Sequence, residues 1–175
     1  MLKRILLFFA VVMAFVAILA ATQPADYRVE RSLSMKATPA AIYAQVNDLH
    51  KWERWSPWAR IDPNAKSSFN GPDSGKGASM SWDGNMDVGK GTMTISESMP
   101  NKSVQLKLVF DKPLPGEADS EILLTPEASG TKVTWSMSGK KDFMGKLMGL
   151  IMDCDKMIGD QYEKGLANLK AVVHG

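Results

Sequence analysis

The chain has 175 residues and a formal net charge of +2, so neither length nor charge suggests a many-domain protein or a nucleic-acid binder. No Lys/Arg cluster interleaved with aromatics lies on one element, and nucleic acid is not an expected partner. One cysteine, Cys154, and two histidines, His50 and His174, exclude an internal disulfide and a His/Cys metal cluster by counting, and no cofactor, metal or nucleotide is expected.

The first element is apolar. Ile5 to Ala21 carry no charge, and Lys3 and Arg4 stand just before them. A helix needs about 20 apolar residues, with a lower range near 17, to cross a bilayer. A cleaved secretory signal is the rival, but cleavage after Ala20 or Ala21 puts Ile18 or Leu19 where a small residue is wanted. Residues 1–23 are therefore expected to be an uncleaved anchor and residues 24–175 one domain. The positive-inside rule then puts the N-terminus in the cytoplasm. The domain would lie on the outer side of the inner membrane, in the periplasm of a bacterium.

After Pro24 the chain turns to period two. Tyr27, Val29, Leu33 and Met35 share one face of a strand, and Arg31 interrupts it. Thr38-Pro39 reads as an N-cap and first helical residue, followed by Ile42, Tyr43, Val46 and Leu49 at helical spacing. Trp52, Trp55 and Trp58 crowd a bent connection that Pro57 keeps from being a continuous helix. Pro63 to Gly77 reads as loop with at most a short strand.

Five alternating runs follow: Ala78–Trp82, Thr92–Ser96, Val104–Phe110, Asp119–Leu124 and Lys132–Ser138. Asp83-Gly84 is a two-residue hairpin signal, and Pro100-Asn101 and Pro126 to Gly130 mark further turns. One wet and one dry face per strand indicates an antiparallel meander. From Asp142 to Val172 one long amphipathic helix is predicted: an apolar stripe from Phe143 to Leu169, a second row of Met144, Met148 and Met152, and a polar face holding Asp153, Asp155 and Asp160. Gly145, Gly149 and Gly159 each weaken it by about 1 kcal/mol relative to Ala, and stand for close approach or for a bend.

A sheet with one dry face must be covered, and only the C-terminal helix is long enough to do it. The predicted fold is α+β, a curved antiparallel sheet gripping that helix around an apolar cavity. Arg31-Ser32, Ala37-Thr38-Pro39, Val46–Leu49, Trp52–Trp58, Gly84–Gly91 and Tyr162–Lys170 resemble the START/Bet v 1-like (SRPBCC) superfamily, and more closely its polyketide cyclase/dehydrase-like bacterial members. That resemblance implies a helix-grip fold. The superfamily spans lipid carriers, metabolite binders and cyclases, so it implies no catalytic residue.

The expected ligand is a hydrophobic small molecule or lipid, and the candidate pocket residues are Arg31, Trp55, Trp58, Trp82, Phe110, Trp135 and Met148. Each tryptophan reads equally as core packing. A lone guanidinium on a dry face needs a carboxylate, solvent or an anionic head group, and Glu97, in phase with Met93 and Ile95, is its candidate partner. Two other functions compete with ligand binding. One is a cyclase or dehydrase using Arg31, Glu97 and Tyr27. The other is an envelope interaction module presenting an exposed tryptophan segment.

Overall fold

The computed structural model describes residues 1–174. Helix α1 (Leu2–Thr22) is long and apolar enough to cross a membrane, with mean hydropathy 2.9, a test that a signal sequence also passes. Strand β1 (Asp26–Met35) leads to α2 (Pro39–Val46), where the Thr38 side chain accepts a hydrogen bond from the Ala41 N–H and Pro39 fills the first turn. Two short 3-10 turns, Leu49–Arg54 and Pro57–Arg60, carry the crowded tryptophans. The meander is β2 (Lys66–Asn70), β3 (Ser79–Asp83), β4 (Lys90–Met99), β5 (Ser103–Lys112), β6 (Gly116–Glu127) and β7 (Gly130–Lys140).

The strands form one antiparallel sheet in the order β1-β7-β6-β5-β4-β3-β2. Its dry face holds Val29, Met35, Met93, Ile95, Val104, Leu106, Ile122, Leu124, Val133 and Trp135, all buried. The predicted alternation therefore holds, and with it the α+β helix-grip fold. Register shifts at Lys90/Gly91 and Ile95/Glu97 add bulges that bend β4.

Two local expectations are corrected. The helix predicted over Asp142–Val172 is broken into α3 (Phe143–Met148) and α4 (Cys154–His174). Gly149 closes α3, and Asp153 starts α4 by accepting from the Lys156 N–H at 3.0 Å instead of lying on a continuous polar face. Phe143 and Ile151, assigned to the buried stripe, are exposed. The Asp83-Gly84 hairpin is instead a longer connection. Asn85 Oδ1 accepts from the N–H groups of Asp87 and Val88, and Asp62 Oδ2 accepts from the Asn85 N–H, so side chains hold a loop that a two-residue turn would have skipped. The short strand allowed between Pro63 and Gly77 is present as β2, around Phe69.

Candidate functional site

The concave face is divided into a packed half and a half-open half. In the packed half, Trp135 of β7 stacks on Tyr162 of α4 with centroids 4.1 Å apart. Trp55, Trp52 and Trp58 surround that pair, 5.4, 5.7 and 5.9 Å from the Trp135 ring. Two of the indole N–H groups are placed: Trp135 Nε1 donates to Ser120 Oγ, which donates to the Ser136 carbonyl, and Trp52 Nε1 donates to the Val46 carbonyl. The buried indole N–H of Trp55 has no protein acceptor. Burial pushes the Tyr162 phenol above its ordinary range.

Two glycines of α4 allow side chains of the sheet to approach the helix closely. A Cβ on Gly165 would lie 2.6 Å from the Trp135 ring, and one on Gly159 would lie 2.0 Å from the Arg31 guanidinium. For Gly159 the question left by the sequence is settled: it provides close approach, while Gly149 provides the break.

Arg31 lies across Gly159. Its guanidinium donates to Asp155 Oδ2 at 2.9 Å, to Glu163 Oε1 at 3.1 Å and to the Glu30 carbonyl at 2.8 Å. The hydrogen bond from Arg31 holds the Asp155 carboxyl below its usual range, and the same bond raises Arg31. The expected partner, Glu97, is elsewhere. The bulge at Ile95/Glu97 inverts the phase of β4, so Glu97 faces solvent and pairs with Lys76, while Ser98 turns inward to Tyr43 at 2.6 Å. Arg31, Glu97 and Tyr27 therefore do not converge on one point.

In the half-open half, Tyr27, Met80, Trp82, Leu108 and Phe110 are only partly buried, and the buried Met93, Ala118 and Met137 share their sheet face. Gly91 stands in register between Trp82 and Phe110, and its missing side chain lets the Trp82 ring lie across β4, where a Cβ would be 2.7 Å away. The Trp82 and Phe110 rings meet edge to face at 5.9 Å, and Trp82 Nε1 donates to the Val88 carbonyl. Tyr27 closes the row beside Gly139, with its phenol raised by burial. The surface offered is apolar and aromatic.

Of the predicted pocket residues, Trp82 and Phe110 meet in the half-open part. Trp55 and Trp135 are fully buried in the packed part, with Trp58 at its margin. Met148 is half-buried on α3, and Arg31 serves α4. The tryptophan segment is thus mainly inward. Met80 and Leu108, which the alternation places on the dry face, and Gly91, in phase with Met93 and Ile95, were not among the candidate pocket residues. A small polar cavity of about 150 Å³ lies apart from this face, where His50 stacks on Phe69 at 4.0 Å. Among the described residues no group of three or more His, Cys, Asp or Glu can hold a metal.

A sheet gripping a C-terminal helix over a half-open apolar face defines a START/Bet v 1-like protein. The chain belongs to the family described as polyketide cyclase / dehydrase and lipid transport, whose model matches residues 26–174. Its fold is shared by protein CV1439 from Chromobacterium violaceum (19% identity, 87% of this chain and 99% of that one, TM-score 0.60). Protein MLL2253 from Mesorhizobium loti is similar at 14% identity, with 85% and 97% covered and TM-score 0.62. Ara h 8.0201 is similar at 13%, with 85% and 97% covered and TM-score 0.59. No curated protein matches the sequence.

Proposed function

We propose that this protein binds a hydrophobic small molecule or lipid in the half-open part of its concave face, and that α1 holds it at a membrane. The observation that carries the reading is the row Tyr27, Met80, Trp82, Leu108 and Phe110. These large apolar side chains lie on the dry side of a sheet yet remain partly exposed. Ligand sites are typically apolar concavities of this kind with few polar groups, and the family description includes lipid transport.

In this reading Trp82 and Phe110 are the walls. Trp58 and Trp135 form the boundary with the packed half, and Trp55 supports them from behind. Met148 is an adaptable cover, since methionine conforms to varied apolar partners. Arg31 fixes the start of α4 through Asp155 and Glu163. Lys3 and Arg4 keep the N-terminus in the cytoplasm, and the domain works on the opposite side.

The test is native mass spectrometry and lipid extraction on the full chain in detergent, with binding of the probe N-phenyl-1-naphthylamine. A defined apolar compound should co-purify. Leu108→Trp, which adds bulk to the open half, should weaken probe binding at least tenfold. A wild type that carries no apolar compound and binds the probe no better than Leu108→Trp overturns the proposal.

A further inference from the structure

Strand register puts the open part of the site at one end of the sheet. Trp82, Gly91, Phe110 and Gly116 form one cross-strand row there, and Leu108, Ala118, Gly139 and Tyr27 form the next. This is the end at which β1 begins. Only Gln23, Pro24 and Ala25 separate α1 from β1, a span of at most about 14 Å. The last turns of α1 pack on α3, and Ala20 is fully buried there.

The loops at this end are tipped with apolar side chains. Met86 lies between β3 and β4, and Leu114 between β5 and β6. Phe143 and Met144 are on α3, and Ile151 and Met152 on the α3–α4 break; all six are exposed, Ile151 to 80% and Met86 to 77%. The opposite end reads differently: the loops Gly71-Pro-Asp-Ser-Gly-Lys-Gly77, Pro100-Asn-Lys102 and Glu127-Ala-Ser-Gly130 hold no large apolar side chain, and the exposed Phe69, Met99 and Leu123 lie in the strands beside them. Exposed apolar tips gathered on one end mark a surface with a non-aqueous partner. The charges among them are mixed, with Lys112, Lys140, Lys141 and Lys146 facing Asp111, Glu117 and Asp142 in the same segments.

We infer that this end rests in the headgroup–acyl boundary of the same bilayer that α1 spans, so that the half-open site faces lipid and exchanges its ligand directly with the membrane. The inference rests on the anchoring reading given above. The bilayer is the occupant because α1 delivers it: a helix of 21 residues is about 31 Å long, a full hydrocarbon core, and leaves the domain within three residues of its surface. Helices that lie in an interface bury their apolar faces about 5–10 Å deep, within reach of loop tips this close to the anchor. The mixed charge makes the contact apolar in origin, with little dependence on salt or lipid charge.

The experiment uses the full chain in phosphatidylcholine nanodiscs. Cys154→Ser provides the background for single NBD-labelled cysteines at Leu114→Cys, Ile151→Cys, Asp73→Cys and Phe9→Cys. Doxyl-labelled phosphatidylcholine should quench the Leu114 and Ile151 labels at least threefold more than the Asp73 label, at low and high salt alike. If Phe9 is quenched and the two rim labels behave like Asp73, the anchor stands and the resting end is overturned. If Phe9 is not quenched, the anchor fails and this inference fails with it.

Discussion

Replacing Trp135 or Trp82 by alanine separates the two halves of the concave face. Trp135 is 2% exposed and meets four other rings. Removing a core tryptophan costs about 3–5 kcal/mol. Nothing nearby can collapse into the space, because Tyr162 is fixed on α4 and Trp52 and Trp55 are pinned by the 3-10 turns. Trp82 is only half-buried, on the open side, so its loss costs about 1–2 kcal/mol, mainly from lost apolar burial. At about 2–4 °C per kcal/mol for a chain of this size, Trp135→Ala should lower Tm by about 6–20 °C and Trp82→Ala by about 2–8 °C. Binding of N-phenyl-1-naphthylamine should show the reverse order, with Trp82→Ala the weaker binder at a temperature where both variants are folded. Thermal unfolding followed by circular dichroism, paired with probe titration, reads both quantities. Equal losses of stability, or a Trp82→Ala protein that binds as wild type does, would refute the division of the face.

Two further predictions concern the start of α4. Asp153→Ala removes the cap on the Lys156 N–H and should cost about 1 kcal/mol in urea unfolding, with no change in probe affinity; a loss below about 0.3 kcal/mol would show that Asp153 is no cap. Asp155 has a depressed carboxyl, so its stabilising contribution is present above the unfolded-state value of 3.8 and is lost as pH falls through the lower folded-state value. Asp155→Asn should therefore shrink the stability difference between pH 5 and pH 2 measured by urea unfolding. An unchanged difference would show that the Arg31 pair does not couple to folding.

The sheet was legible in the sequence because a half-buried strand writes its two faces into alternate residues, as in Val104–Phe110 and Lys132–Ser138. Departures came where one residue outweighs a pattern. The C-terminal helix keeps its apolar spacing through Gly149, and only the cap made by Asp153 shows where it restarts. The Asp83-Gly84 signal is real but local, and Asn85 and Asp62 override it with side-chain acceptors. Glu97 was placed on the dry face because the alternation has no means of announcing a bulge; one extra residue at Ile95/Glu97 turned it outward.

The site was legible by face and not by depth. Alternation places Trp82 and Trp135 on the same dry side, but what covers each is decided by elements distant in sequence. Trp135 is closed in because α4 presents a glycine, Gly165, and a flat ring, Tyr162, at the places that meet it. Trp82 stays partly open because α4 packs on β1 and β7, at the other side of the sheet from β3, while Gly91 lets the Trp82 ring lie across β4. The same small residue thus has opposite consequences. On the helix it lets the sheet's largest side chain pack, and on the sheet it leaves an indole lying flat at the edge of an open apolar surface. A single domain can keep such a surface exposed because its stability is concentrated in the other half, where five rings interlock. The apolar area left open at the α1 end is then available for the binding proposed above without being required for folding.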